Sequence, residues 1–140
     1  MKTSRVLVVA FLFIVLSMLD NVKGLGADWK LFGFNDTGDA YYDAEGINRP
    51  SKDVVRFWEK VVWSEKAVID EVAKSGIKYK TLSYTLALYE YHCAEKKLRT
   101  LSIVYYSTDG EVLFSHSQES EWEFIVPGSV GEDALKTLCK

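Results

Sequence analysis

Few residues in this chain could do chemistry, and their spacing argues against most of it. The sequence holds two histidines, His92 and His116, and two cysteines, Cys93 and Cys139. Glu90 and His92 alternate onto one strand face, so with His116 they come nearest to a metal-ligand set. A whole strand, Leu98–Ser107, is expected between the two histidines. At ~4.8 Å per strand step they stand ~9–10 Å apart, whereas the ligands of one ion lie ~2 Å from it. Ser115-His116-Ser117 is a run of neighbours, not a triad, whose members converge from separate elements. The sequence has no G-x-S-x-G, no glycine-rich phosphate loop and no H-E-x-x-H. Glu119, Glu121 and Glu123 alternate on the outward side of an expected strand, a pattern that keeps a sheet edge soluble. No metal, no cofactor and no catalytic role are expected.

The cysteine pair takes its meaning from the start of the chain. Lys2 and Arg5 precede an unbroken apolar run, Val6–Leu19, and then the small-residue stretch Asp20–Ala27. That order matches the charged, apolar and cleavage regions of a secretory signal peptide. The run is shorter than the ~20 apolar residues needed to span a bilayer core. Residues 1–27 are therefore expected to be a signal peptide, cut after Gly24 or Ala27, and residues 28–140 one domain. The leader has no cysteine for acylation, so the product is expected to be periplasmic or secreted and not lipid-anchored. Removing the leader leaves 14 basic and 19 acidic residues. That balance excludes nucleic acid, which is bound through basic stripes, and an anionic membrane surface. In an oxidising compartment an isolated pair, Cys93 and Cys139, is expected to form one structural disulfide.

The elements that must position these groups follow from periodicity. Trp29–Phe34, Ala40–Asp43 and Val54–Trp63 read as strands. Asn48–Lys52, with Pro50, reads as a loop or a short edge strand. In Val54–Trp63 the residues Val55, Phe57, Val61 and Trp63 share one face, with Arg56 and Lys60 on the other. Trp58 stands out on that polar face. Ser64 to Gly76 switches to helical period, with Val68, Ile69, Val72 and Ala73 as its stripe. Thr81–Cys93, Leu98–Ser107 and Glu111–His116 follow as strands joined by tight turns, hence antiparallel neighbours. Trp122–Val126 reads as a further strand with Trp122, Phe124 and Val126 on one face. Ser129 and Glu132 then open a tail helix in capping-box spacing. Its apolar stripe is Val130, Ala134, Leu135 and Leu138, with Cys139 at the edge. The fold class is α+β: a single, mainly antiparallel sheet of about six strands. A C-terminal helix is disulfide-linked to one face, and a short additional helix lies near residues 64–75.

Eight tyrosines and four tryptophans put rings on both sheet faces. One helix covers one face, so the second is free for a partner. A second, smaller reading is a periplasmic carrier that holds an apolar or aromatic ligand between sheet and helix.

Several landmarks carry a resemblance: Trp29, Tyr41-Tyr42-Asp43, Val54-Val55-Arg56-Phe57-Trp58, Tyr89-Glu90-Tyr91-His92-Cys93, Tyr105-Tyr106, Asp109-Gly110, Trp122, Ile125-Val126-Pro127-Gly128-Ser129 and Cys139. In this order they resemble the surface-adhesin protein E family of bacterial envelope domains. The resemblance implies one antiparallel sheet with a bridged helix, dimer formation, and binding of extracellular-matrix or envelope proteins such as laminin and vitronectin. This chain lacks the lipid-attachment cysteine of the anchored adhesin. Its candidates for a basic contact segment are Lys78, Lys80, Lys96, Lys97 and Arg99, with Trp58 as the candidate aromatic contact.

Overall fold

The computed structural model describes residues 27–140, so the expected signal peptide lies outside the described residues apart from Ala27. Eleven elements follow in order. They are β1 (Trp29–Asn35), β2 (Gly38–Asp43), β3 (Asn48–Ser51), β4 (Val54–Trp63), helix α1 (Glu65–Ser75), a 3-10 turn (Ile77–Thr81), β5 (Leu82–His92), β6 (Lys97–Ser107), β7 (Val112–His116), β8 (Glu123–Phe124) and helix α2 (Val130–Leu138). The main sheet runs β1-β2-β4-β5-β6-β7, and every pairing is antiparallel. The two short strands share the edges of longer ones. β3 pairs with the Val54 end of β4, beside the part of β4 that β2 occupies. β8 pairs with the Lys97 end of β6, beyond the part that β7 occupies.

Alternation along β4 and β5 sorts the sheet into two faces. Val55, Phe57 and Glu59 lie opposite Tyr91, Tyr89 and Ala87, and this face is the covered one. Val55, Phe57, Tyr91, Ile125, Ala134 and Leu138 form the core cluster. Phe57 and Tyr91 meet edge-on, with ring centroids 5.1 Å apart, a geometry that adds ~0.5–1.5 kcal/mol beyond area burial. α2 lies over β1 so closely that a Cβ on Gly33 would come within 3.0 Å of Asp133 Oδ2. The other end of the same face carries Trp63, Thr85, Tyr105 and Phe114, with the Trp63 indole N–H donating to Thr85 Oγ1 at 2.8 Å. Tyr79, from the 3-10 turn, packs edge-on to Tyr105 there. At Gly38 the strands β2 and β4 cross without room for a side chain. A Cβ there would sit 1.8 Å from the Val62 carbonyl oxygen.

Helix ends follow their sequence signals. Ser64 Oγ accepts from Ala67 N, and Ser129 Oγ accepts from Glu132 N. The Glu132 carboxylate accepts from the N–H of Gly128, one residue before the cap. That hydrogen bond, with Lys136 beside it, holds the Glu132 carboxyl below its ordinary range. At the other end of α2, Arg49 Nη2 from β3 donates to the Leu138 carbonyl at 2.8 Å.

Three expectations need correction. The strand Trp122–Val126 shrinks to Glu123–Phe124, and its sides are reversed: Ile125 is buried, whereas Phe124 and Val126 are exposed. The cause is the register of β8 on β6: Glu123 lies opposite Leu98, which faces Tyr91 on the covered side, and Phe124 opposite Lys97, and a bond from Ile125 N–H to the Lys96 carbonyl continues that pairing. The stripe of α1 is rotated. Ala67, Val68, Glu71 and Val72 are half-buried, while Ile69 and Ala73 face solvent. The helix rests on Trp63 and its surroundings, and none of its residues is fully buried. The acids Glu119 and Glu121 lie in an irregular connection and not on a strand.

Cys93 and Cys139 are bonded, with Cα atoms 5.6 Å apart and a separation of 46 positions in sequence. The chain-entropy argument assigns such a loop roughly 4 kcal/mol. Cys139→Ser, or reduction of the bridge, is expected to lower unfolding free energy by about 2–5 kcal/mol. Urea midpoints with and without reductant measure this, and unchanged midpoints would show that α2 is held by packing alone.

Candidate functional site

The even-numbered side of β4 defines a second sheet face that no helix of the described residues covers. Register places Trp58 opposite Leu88, Lys60 opposite Leu86, and Leu86 opposite Val104. These apolar side chains are half-buried by one another. Tyr84 and Tyr106 stack at 4.9 Å on the same face, and Lys60 Nζ lies 4.8 Å from the Tyr84 ring centroid. Toward the β5–β6 turn, a charged cluster takes over. Glu90 is buried between two arginines: Arg56 Nε donates to Oε1 at 3.0 Å and Arg99 Nε to Oε2 at 2.8 Å. Burial pulls the Glu90 carboxyl upward, but the hydrogen bonds and charges of Arg56 and Arg99 outweigh it and leave it below its ordinary range. Arg99 also pairs with Glu119 and lies over the Trp122 ring at 4.5 Å. The open face is thus an aromatic-aliphatic strip with a guanidinium rim.

The sequence candidates fall in three places. Trp58 sits at the centre of the open face. Arg99 is on that face too, but its guanidinium is held by Glu90, Glu119 and Trp122. Lys96 and Lys97 stand at the β5–β6 turn, where Lys96 adopts φ 52° and Lys97 lies over the Phe124 ring. Lys78 and Lys80 belong to the 3-10 turn before β5. The eleven residues of β5 separate them from Lys96, roughly 35 Å at ~3.3 Å per residue. The five basic residues therefore do not form one segment in space. His92 and His116 pair with Lys97 and Ile103 of β6, so they are roughly 20 Å apart along the strand as well as separated across it. No group of three or more His, Cys, Asp or Glu among the described residues could hold a metal ion.

The covered face holds a feature that the sequence reading missed. Beside the start of α2 a cleft of about 440 Å³ opens over the middle of the sheet, lined by the β1–β2 turn, Glu59, Tyr89, Tyr91, Thr100, Glu123 and the first turn of α2, among others. Glu59 sits in its floor, only 9% exposed. Among the described residues its carboxylate has neither an ion-pair nor a hydrogen-bond partner, and burial pushes its pKa up to about 7. Burial raises the Tyr89 and Tyr91 phenols as well, with the Glu59 charge as the next cause. The signal was present in sequence: an acid at the one position where period two along β4 demands an apolar residue.

A disulfide-clamped sheet with helices on one face and an open second face defines a small α+β domain. Comparison with known proteins agrees. The chain belongs to the surface-adhesin protein E family, whose sequence model matches residues 29–140. It is similar to a crystal form of Haemophilus influenzae protein E at 14% identity and TM-score 0.54, over 83% of this chain and 90% of that one. Protein E from non-typeable Haemophilus influenzae gives 14% identity and TM-score 0.51, over 84% and 78%. At such identities the likeness is one of fold. No curated protein matches the chain significantly in sequence.

The isolated Glu59 makes stability depend on pH. The folded chain keeps this proton to about pH 7, whereas the unfolded chain releases it near 4.5. Between those values the folded state binds more protons, so this contribution falls as pH rises, by about 3 kcal/mol once pH exceeds 7. Glu59→Gln is expected to raise unfolding free energy by about 1–3 kcal/mol at pH 8 and by little at pH 5. Denaturant midpoints at the two pH values check the sign; a destabilised variant at pH 8 would mean that the carboxylate has a partner.

Proposed function

We propose that this protein is an exported, non-enzymatic adhesin that grips another protein with its open sheet face. Family membership supports the adhesin class. The observation that carries the choice of surface is the Trp58–Leu88–Leu86–Val104 strip, left without a covering element and rimmed by arginine. Tryptophan, tyrosine and arginine are the residues that dominate the energy of protein interfaces. A rigid sheet pays little ordering entropy on binding, and the bridge to α2 keeps this one fixed from behind. The partner in this reading is an extracellular-matrix or envelope protein. In this reading the protein works after export, as a periplasmic or secreted domain whose two cysteines are taken up by the bridge. Lys96 and Lys97, beside the guanidinium rim, would steer an acidic partner toward the strip.

The test is saturable binding of immobilised protein to laminin, vitronectin and envelope fractions, with sedimentation reporting whether the face pairs with a second copy instead. Trp58→Glu is expected to weaken partner binding at least tenfold, consistent with ~2 kcal/mol or more for a central interface tryptophan, with its melting temperature close to that of the parent. Lys96→Glu with Lys97→Glu is expected to slow association and reduce its salt dependence. Binding that survives Trp58→Glu intact would move the site off this face.

A further inference from the structure

We propose that the cleft over Glu59 is a binding site for an organic cation: an ammonium or guanidinium group on an apolar or aromatic stem. This site lies on the covered face and is independent of the adhesive surface proposed above. Its volume, about 440 Å³, falls within the range of small-molecule sites. Of the residues that line it only Glu59 and Glu123 are charged, and both are acids.

Every element packed around Glu59 fails to supply a counter-charge. Its cross-strand neighbours are Tyr42 in β2 and Ala87 in β5. β5 adds the phenols of Tyr89 and Tyr91, β6 adds Thr100, and the segment before α2 adds Glu123. The positive end of the α2 dipole reaches the rim, but Glu132 and Asp133 occupy its first turn. Lys136 is engaged with Glu132. A nine-tenths buried carboxylate is costly to ionise without a cation, and among the described residues no fully buried side-chain oxygen or nitrogen is left without a hydrogen-bond partner. The Glu59 oxygens therefore keep their access to the cleft. A ligand ammonium entering it gains an ion pair with Glu59 in a low-dielectric wall, and the phenol oxygens of Tyr89 and Tyr91 offer further acceptors. Binding draws Glu59 toward its ionised form, so affinity must rise with pH through the range where this group titrates.

The experiment is titration calorimetry at pH 8 on the purified protein with three probes. Phenethylammonium represents a free amine, Nα-acetyl-lysine N-methylamide represents a lysine offered by another protein, and phenethyl alcohol is the uncharged control. At least one ammonium probe is expected to bind saturably, and the alcohol at least tenfold more weakly. The tighter of the two ammonium probes identifies the source of the cation. Lowering the pH from 8 to 6 is expected to weaken binding about tenfold, since Glu59 titrates near 7 while both ammonium groups stay charged. Glu59→Gln is expected to abolish the preference for charge, with its fold checked by thermal melting. Glu123→Gln, an exposed change that leaves the core untouched, is expected to weaken binding by a smaller factor. The proposal falls if neither cation saturates by about 10 mM, which is weaker than ~3 kcal/mol of binding free energy. It falls equally if the alcohol binds as well, or if neither Glu variant alters affinity.

Discussion

The last turn of α2 is held to the sheet at two points, and most of the molecule's asymmetry follows from that. The Cys139 sulfur is bonded to Cys93 at the end of β5, and the Leu138 carbonyl accepts from Arg49 in β3. Nine residues make a helix about 13 Å long, far too short to shield a sheet six strands wide. Its apolar stripe must therefore be spent on one region, the cluster of Val55, Phe57 and Tyr91. α1 and the 3-10 turn shield the Trp63 and Tyr105 end of the same face. The middle of that face, between the β1–β2 turn and the start of α2, is left as a cleft, and the opposite face stays open.

The two buried glutamates show how the faces differ physically. Glu90, on the open side, is wedged between two guanidiniums whose charge and hydrogen bonds overcome its desolvation. Glu59, on the covered side, meets phenols and aliphatic carbon, and desolvation acts alone. One residue type in one sheet is thus driven in opposite directions by its neighbours. The Glu90 cluster serves to fix the positions of Arg56, Arg99 and Trp122 on the rim of the open face. Breaking a buried pair of this kind is far more costly than never having built it, so the cluster also commits β4, β5 and β6 to one register at that end.

Periodicity and turn chemistry made most of the fold legible. The strands of the β5–β6–β7 meander, both helices and both caps are readable from residue spacing, because each depends on neighbours within a few positions. Asn48–Lys52 stays open between loop and edge strand until its pairing with β4 is seen. The bridge was readable too, since two cysteines allow one pairing. Where long-range strand register decides the facing, spacing is not enough. Nothing local in Trp122–Val126 reveals that Glu123 pairs with Leu98 and Phe124 with Lys97, and that register sets which side chains face inward. The α1 stripe slipped for a similar reason: its partner, Trp63, lies outside the helix.

For the candidate sites the division is sharper. The sequence by itself determined that the chain has an exportable leader pattern, one cysteine pair, alternating strands with rings on both faces, and no spaced catalytic motif. Those are properties of residue types and intervals. Only the tertiary structure decided that Lys78 and Lys80 stand at the opposite end of the sheet from Lys96 and Lys97, and that Arg99 is tied into an ion cluster. It alone set Glu59 without a partner in the floor of a cleft beside the start of α2. Distance between residues far apart in sequence, and the dielectric around a charge, are created by packing, and no local pattern encodes either.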